Sequence, residues 1–338
     1  MLKPINLSQN IAVVIPAYKV KGHIMSVIAG IGAEVSIIYV VDDCCPDSSG
    51  DFVASQTTDL RVKIIKHLSN QGVGGAMVTG YRAAIQDGAD IIVKIDGDGQ
   101  MDPSLIPLFI APIIEGKADY VKGNRFYDLN FLSDMPRLRI FGNSTLSFIN
   151  KISSGYWDIF DPTNGYTAIH MAVARKLPLD KISSSYFFES DMLFRLNILR
   201  AVAVDVPMNA IYKTEVSNMN LLSVIGEFTY KHIRNFFKRV FYNYYLRDMS
   251  VASIELPLGV FGIIIGLIFG TSQWAASSEA LGYASAGTVM ISALPIILGF
   301  NLILAFLGHD IASVPRIPQH KNFQLLHDIL EKNHDVVY

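Results

Sequence analysis

Cysteine is scarce in this sequence, and no segment at its start resembles an export signal. The 338 residues include two cysteines, Cys44 and Cys45, which are adjacent. Adjacent cysteines rarely close a disulfide, and two thiols alone cannot complete a tetrahedral zinc site. Residues 1–10 lack the apolar core of a secretory signal. We therefore expect reduced thiols in a cytosolic loop and no secretion.

Charged residues are also few. They make up 17% of the chain, and 51% of it is hydrophobic, whereas about a quarter of a soluble domain is normally charged. The mean hydropathy is +0.33, which predicts that part of the chain lies in lipid. The formal net charge of -2 provides no basic field to attract nucleic acid, so a nucleic-acid partner is not expected.

Lysine and arginine are absent between Arg247 and Arg316. This interval contains two almost wholly apolar stretches, Leu256–Trp274 and Ala286–Leu307, each close to the roughly 20 residues that cross hydrocarbon. A buried hairpin in a protein core is the alternative, and the length and lack of charge make it the weaker one. The positive-inside rule then predicts that both flanks, and hence both termini, are cytoplasmic at a cell membrane.

Short apolar runs alternate with helical segments over residues 1–218, the predicted catalytic domain. This rhythm predicts an α/β fold with a mostly parallel sheet covered on both faces. The predicted strands are Ile11–Ile15, Val35–Val41, Val62–His67, Asp90–Ile95 and Ala118–Lys122, and the predicted helices are Gly22–Ile31, Gly74–Asp87 and Pro103–Glu115.

Three further segments follow the predicted catalytic domain. Residues 219–254 are predicted to form amphipathic juxtamembrane helices, with an apolar helical face interleaved with basic residues. That face comprises Ile233, Phe236, Phe237, Val240, Phe241 and Tyr244. Residues 255–308 are the two predicted membrane spans. Residues 309–338 form a polar tail whose histidines fit no metal motif, so we expect a solvated cytoplasmic tail.

Two carboxylates, Asp96 and Asp98, follow the apolar strand that ends near Ile95. Ligands bind at the carboxyl ends of strands in open α/β sheets. Carboxylate oxygens suit Mg²⁺ or Mn²⁺, which would neutralise charge on a nucleoside diphosphate leaving group. The pattern therefore predicts a metal site, although an Asp-Gly-Asp triplet alone is also common in turns.

Other strand ends carry candidate nucleotide contacts. The first strand is followed by Pro16, Ala17 and Tyr18, and the second by Asp42 and Asp43. These side chains suit hydrogen bonds to a base and ribose and stacking on a ring. For the two aspartates, helix capping and turn formation are an equally good interpretation.

A glycine-rich segment, which includes Asn70 and Gly74, opens the next predicted helix. Its glycines allow close backbone approach, and a helix N-terminus favours an anion. The spacing matches neither the dinucleotide fingerprint nor the P-loop.

Taken together, these ordered motifs resemble those of the inverting GT-A glycosyltransferases of family two, over roughly Ile11 to Asn218. Within that family the chain is most similar to the polyprenyl-phosphate sugar synthases, which include the dolichol-phosphate mannose synthases and bacterial glucosyl homologues. The resemblance implies a GT-A fold and transfer of a hexose from a nucleotide sugar, with UDP-hexose favoured, to a polyprenyl phosphate lipid. It also implies a membrane setting, and such hairpins often associate into homo-oligomers.

The resemblance assigns roles to individual residues. Asp96, Asp98 and Gln100 resemble the metal-binding motif, and Arg125 resembles an arginine that contacts phosphate. Asp161 and Gly165 belong to a segment similar to an acceptor-side loop in which Asn164 replaces serine, and Glu189 and Asp191 match an acidic stretch near the acceptor. The remaining implied acceptor-side residues are Lys213 and Ser217.

Two arginines, Arg137 and Arg139, precede a helix expected at Phe141–Ile152 and are candidates for the lipid phosphate. Solvated basic residues are the alternative, which is less favourable because cations are disfavoured at a helix start. The bland interpretation of Glu189 is an exposed helix residue without a chemical role.

Two rival functions differ in class from this one. A processive polysaccharide synthase would carry a Gln-x-x-Arg-Trp motif and more spans, yet arginine precedes neither Trp157 nor Trp274. A catalytically silent membrane scaffold is disfavoured by the intact pair of Asp96 and Asp98.

Overall fold

The computed structural model describes residues 9–127, 137–208, 221–279 and 282–335. The chain divides into two compact units. The first unit comprises residues 1–236 and 315–338, and the second comprises residues 237–314. The first unit is therefore discontinuous in sequence, since the second is inserted into it.

One seven-stranded sheet organises the first unit. Its strands are β1 Ile11–Ala17, β2 Ile37–Asp42, β3 Val62–Lys66, β4 Ile91–Lys94, β5 Tyr120–Asn124, β6 Thr167–His170 and β7 Ala203–Pro207. They lie in the order β3-β2-β1-β4-β6-β5-β7. β6 runs antiparallel to β4 and β5, and the other neighbouring pairs are parallel. The predicted mostly parallel sheet is confirmed.

Helices cover the sheet and extend into the second unit. They are α1 Ile24–Gly30, α2 Ser49–Gln56, α3 Gly72–Gln86, α4 Ile106–Ile114, α5 Arg137–Ser154, α6 Met171–Ala174, α7 Phe188–Ile198, α8 Leu221–Phe241, α9 Ala252–Glu279, α10 Ala286–Ala312 and α11 His320–Asp335. A 3₁₀ turn at Pro103–Leu105 precedes α4, and a π-helical turn at Tyr242–Arg247 follows α8. The apolar residues of β1, β2 and β4 pack with α1 and α4 in one buried core.

The start of α5 differs from the sequence prediction. The helix begins at Arg137, so Arg137 and Arg139 lie in its first turn instead of preceding it. Their side chains fall outside the described part of the structure, so their proposed contact with a lipid phosphate stays a prediction.

The polar tail was expected to be solvated, and at His320 this expectation is wrong. The buried carboxylate of Asp119 accepts hydrogen bonds from the backbone amides of Gln319 and His320 and lies 2.8 Å from His320 Nδ1. A buried carboxylate needs such donors, and the segment entering α11 supplies them. The tail therefore belongs to the first unit.

The residues of α8 are distributed unusually between interior and surface. Ile233, Phe237 and Phe241, from the predicted apolar face, are 52%, 66% and 54% exposed. Val240 and Tyr244 of the same set are buried.

The polar residues on the buried side of α8 have partners. His232 Nδ1 lies 2.7 Å from Ser153 Oγ, and Asn235 Nδ2 donates to Asp191 Oδ1 at 3.1 Å. Arg239 makes two hydrogen bonds to Asp310. The helix thus presents several aromatic side chains outward and packs through polar side chains as well as through Val240.

The second unit contains two helices, α9 and α10, that are long and apolar enough to cross a membrane. The two helices pack closely because Gly259 and Gly299 have no side chains at the contact. A side-chain carbon added at either glycine would collide with the backbone of the other helix. Ser292 Oγ in α10 donates to the carbonyl of Gly266 in α9 at 3.1 Å. Most of each helix surface is exposed.

Candidate active site

Asp96 and Asp98 stand just beyond the carboxyl end of β4, where the sequence predicted them. The Asp96 side chain is 29% exposed, and the Asp98 carboxylate accepts a hydrogen bond from the Gln100 amide at 2.9 Å. This bond holds the backbone of Gln100 beside the Asp98 carboxylate. Within the described residues, no group of three or more His, Cys, Asp or Glu side chains is arranged to hold a metal ion.

Lys94, which none of the sequence motifs included, lies beside the Asp96 carboxylate. It is the last residue of β4, and its side chain is 1% exposed. Its ammonium lies 2.7 Å from Asp96 Oδ1 and 3.2 Å from Glu189 Oε1. Burial alone would lower the pKa of Lys94, but the charges and hydrogen bonds of the two carboxylates together raise it. The ammonium therefore stays protonated and joins the two acids.

Glu189 lies in the first turn of α7 and is buried. The interpretation of it as an exposed residue is wrong, because its carboxylate turns inward to the ammonium of Lys94. A lysine in an otherwise apolar strand was the clue available in the sequence, since a buried ammonium requires an anionic partner.

Gly165 lies against the same ion pairs. A side-chain carbon added at this position would overlap Lys94 Nζ and Asp96 Oδ2. The close approach of the backbone at Gly165 is therefore a condition for the contact between Lys94 and Asp96. The predicted acceptor-side loop and the predicted metal carboxylate are thus neighbours in space.

Lys122 is a second buried lysine close to this cluster. Its ammonium donates to the carbonyl of Asn164, and burial lowers its pKa to about 8 despite the nearby charges of Glu189 and Asp161. In register, Lys94 and Lys122 flank Thr167 of β6, and Lys122 pairs with Asp205 of β7. Polar residues thus cross four adjacent strands below the site.

Arg125, predicted to contact phosphate, is bound to Asp161. Its Nε and Nη2 atoms donate to the two Asp161 carboxylate oxygens at 2.7 and 2.9 Å, and Nη2 also donates to Thr163 Oγ1 at 3.2 Å. Asp161 is buried, whereas the Arg125 side chain is 24% exposed. The structure brings together these two predicted residues from motifs far apart in sequence.

Asp42 and Asp43 both receive backbone amides. Asp42 accepts from the amides of Cys45 and Gly50 at 2.7 and 2.6 Å. Asp43 accepts from Gln71 and Gly72 at 2.8 Å each, which places its charge at the start of α3. These contacts are the capping and turn formation that the sequence left as an alternative, and a nucleotide contact by either aspartate stays a prediction.

The glycine-rich entry to α3 was expected to leave room for an anion, but two of its glycines make room for the chain itself. Side-chain carbons at Gly72 or Gly74 would collide with the backbone of Ser183 and Ser184, and the Gly74 amide donates to the Ser184 carbonyl at 2.9 Å. Asn70 Nδ2 donates to the Asp43 carbonyl at 3.3 Å. The segment thereby connects the loop after β2 to the loop before α7.

Pro16, Ala17 and Tyr18 stand at the end of β1, as predicted. Ala17 is buried and Tyr18 is 45% exposed, so the phenol ring is accessible for stacking. Lys19 follows with a positive φ of 57°, a conformation that costs a non-glycine residue energy and is frequent at functional sites.

Asp191, another residue of the predicted acceptor-side set, has its contacts elsewhere than in this cluster. Asp191 is fully buried and binds Arg195, Asn235 and the amide of Ser183, so its contacts are structural. Lys213 and Ser217 lie outside the described residues.

Comparison with known proteins gives the context of this geometry. The family model described as Glycosyl transferase family 2 matches residues 12–178. A UDP-N-acetylglucosamine–dolichyl-phosphate N-acetylglucosaminyltransferase of Methanococcus voltae is 31% identical over 221 residues, covering 61% of this chain and 87% of that protein. An undecaprenyl-phosphate mannosyltransferase of Micrococcus luteus is 29% identical over 194 residues, covering 57% and 79%.

A solved structure has the same fold. The glucosyl-3-phosphoglycerate synthase of Mycobacterium tuberculosis, crystallised with Mn²⁺, UDP and glucosyl-3-phosphoglycerate, superposes with a TM-score of 0.52 at 18% identity. The match covers 69% of this chain and 80% of that one. The expected GT-A α/β fold is confirmed, and so is the resemblance to the family.

Proposed function

The chain belongs to glycosyltransferase family 2, and we propose that it transfers a hexose from a nucleotide sugar, UDP-linked, to a polyprenyl phosphate. The product is a polyprenyl-phosphate sugar, formed with inversion at the anomeric carbon. The relatives named above act on dolichyl phosphate and undecaprenyl phosphate, and one of them is named for a UDP-sugar. The observation that carries the proposal is the meeting of Asp96, Glu189 and Gly165 around Lys94 at the carboxyl end of β4.

The oxygen atoms beyond β4 fit a divalent cation, Mg²⁺ or Mn²⁺. Asp96 and Asp98 offer carboxylates and Gln100 an amide oxygen, the hard ligands that these ions prefer. Two carboxylates suffice because such ions are usually completed by water and substrate phosphates. When bound, the metal would neutralise negative charge on the leaving diphosphate. The related fold in the tuberculosis enzyme holds Mn²⁺ together with UDP.

The attacking group in this reaction needs no base from the protein. A phosphate monoester has a second pKa of about 6, so most of it is dianionic at neutral pH. Glu189 is suited to hold its neighbours in place, since it is buried and its carboxylate lies 3.2 Å from the ammonium of Lys94. The task left to the site is to bring two negative groups to one carbon, and we assign phosphate contacts to Arg125 and the arginines of α5.

Membrane association is supported by surfaces in both units. The stripe of Tyr230, Ile233, Phe237 and Phe241 on α8 is exposed, as expected of a helix at the headgroup level. α9 and α10 are long and apolar enough to span a bilayer.

The discontinuity of the first unit supports a topology. Residues before and after the hairpin belong to the same compact unit, so both flanks must lie on one side of any membrane that α9 and α10 cross. The absence of lysine and arginine between Arg247 and Arg316 favours the cytoplasm for that side, by the positive-inside rule. We propose that the catalytic unit and both termini are cytoplasmic.

A panel of nucleotide sugars tests this function. The purified full-length protein is incubated in detergent with undecaprenyl phosphate, Mn²⁺ or Mg²⁺, and each UDP- or GDP-hexose in turn. Mass spectrometry should find one lipid-phosphate hexose whose formation requires metal. Absence of any lipid-linked sugar across the panel, with the protein folded, would contradict the proposal.

A further inference from the structure

Lys94 divides one positive charge between two carboxylates. Its ammonium is 2.7 Å from Asp96 Oδ1 and 3.2 Å from Glu189 Oε1, and its side chain is 1% exposed. In so little solvent, charges interact more strongly than at a surface. The negative charge of Glu189 therefore offsets part of the positive potential that Lys94 exerts on Asp96.

The arrangement cannot relax easily. Lys94 is fixed at the end of β4, which pairs with Thr167 of β6 at that residue. Gly165 leaves no space between its backbone and the ion pair. Glu189 is fixed in the first turn of α7. A change of charge at Glu189 therefore acts on Asp96 through Lys94, without a rearrangement that would dissipate it.

We propose that Glu189 is a positioning residue that acts through Lys94 to set the affinity of Asp96 for the divalent cation. This inference rests on the proposed function, because it takes Asp96 as a metal ligand. The carboxylate of Glu189, 3.2 Å from the ammonium, offsets part of the positive potential that Lys94 exerts on Asp96 and so favours a cation there. When the charge of Glu189 is removed, the ammonium of Lys94 pairs with Asp96 alone and competes with the metal for it.

The geometry explains why an acid from a distant helix lies at this site. Glu189 is buried and directed at Lys94, so its influence on the reaction passes through the neighbouring charges. The charges of Glu189 and Lys94 should affect the affinity for the metal in opposite directions. Removing the carboxylate weakens metal binding, and removing the ammonium as well restores it.

Binding of Mn²⁺ alone to the full-length protein, followed by electron paramagnetic resonance, tests the inference independently of turnover. Glu189→Gln keeps the shape of the side chain and should weaken Mn²⁺ binding about tenfold. The double variant Lys94→Met/Glu189→Gln removes both charges and should return to within about threefold of the wild type. A role of Glu189 in packing alone would not produce this recovery.

Matched controls lie on the protein surface. Glu227→Gln alters a glutamate that pairs with Lys231 on α8, and Lys63→Met alters an exposed lysine that pairs with Asp87; both should bind Mn²⁺ as the wild type does. Thermal melting establishes that each variant is folded.

The outcomes separate this inference from the function beneath it. If the wild type binds Mn²⁺ in a manner lost in Asp98→Asn, but Glu189→Gln binds it equally well, the inference alone is overturned. Failure of the double variant to recover, while folded, also overturns it. If the wild type shows no Mn²⁺ binding that depends on Asp98, the metal site of the proposed function is wrong and the inference falls with it.

Discussion

Asp98 offers the simplest test at the scale of single residues. Asp98→Asn should abolish transfer, because an amide lacks the charge that holds a hard divalent cation. Asp180→Asn, at an exposed aspartate that pairs with Arg82, is the matched control and should leave the rate unchanged. Product formation is measured across a range of Mn²⁺ concentrations. A near-normal rate in Asp98→Asn that still requires metal would remove Asp98 from the site.

Arg125 has a structural and a chemical role that can be separated. Arg125→Ala leaves the buried carboxylate of Asp161 without its two-point partner, which should lower the free energy of unfolding by about 2 kcal/mol. Arg125→Lys keeps the charge but not the fork and should recover part of both stability and turnover. Denaturant unfolding and initial rates are measured on the same samples.

The two readouts distinguish the roles of Arg125. Loss of turnover without loss of stability in Arg125→Ala would show that the contact with Asp161 contributes little to folding. Loss of stability with full turnover at saturating donor and acceptor would remove Arg125 from the phosphate contacts.

At the scale of elements, the stability contributed by the contact between α8 and α5 at His232 and Ser153 should depend on pH. Burial lowers the pKa of His232 to about 4 from its usual 6.5, so the unfolded chain binds more protons than the folded chain between those values. Above pH 6.5 His232 is neutral in both the folded and the unfolded chain. As the pH decreases from 6.5 towards 4, the imidazole is protonated in the unfolded chain before it is in the folded chain. The free energy of unfolding should therefore fall over this range, by up to about 3 kcal/mol. His232→Asn removes the titration and keeps a polar partner for Ser153.

Melting temperatures at pH 7.5 and 5.0 test this dependence. The wild type should lose more stability than His232→Asn over that interval. Parallel losses in the two proteins would show that His232 is not a source of acid sensitivity.

The elements themselves show what sequence patterns can predict. β1, β2 and β4 were predicted close to their observed ends because each contains an apolar run followed by turn residues, and β3 and β5, which include lysines, were also predicted close to theirs. α2, β6 and β7 were not predicted. β6 has only four residues and β7 contains Asp205, so neither presents a long apolar run, and their positions depend on pairing with distant strands.

The sequence predicted which residues lie at the edge of the sheet, but not the ion pairs that join them to distant residues. Asp96, Asp98 and Gln100 follow a strand, so their place at the sheet edge follows from local pattern. The partnership of Lys94 with Glu189 joins residues far apart in sequence, and only the fold brings them together. The prediction of a solvated tail was wrong at His320 for the same reason, since the partner of His320 is Asp119, which directly precedes β5.

At the scale of the whole molecule, the tail completes the catalytic unit. Ending the chain after Val314 keeps both apolar helices but removes three hydrogen-bond donors from the buried carboxylate of Asp119. Such a loss should cost about 1–3 kcal/mol of unfolding free energy. A chain ending after Ile329 retains those donors and serves as the control.

Melting of the two shortened proteins in the same detergent is the measurement. The chain ending after Val314 should unfold at a lower temperature than the one ending after Ile329. Equal melting temperatures would show that the tail is dispensable to the first unit.

The identity of the acceptor as a lipid phosphate is tested most directly by one comparison. Polyprenyl phosphate and the matching polyprenol are supplied at equal concentration in the same detergent, with metal and the donor identified by the panel. A phosphate that arrives as a dianion needs no base, so the wild type should glycosylate the phosphate and leave the alcohol unreacted. Glu189→Gln should lose less activity on the phosphate than Asp98→Asn does. Efficient glycosylation of the free alcohol, abolished in Glu189→Gln, would show that a general base operates here and that the acceptor class is wrong.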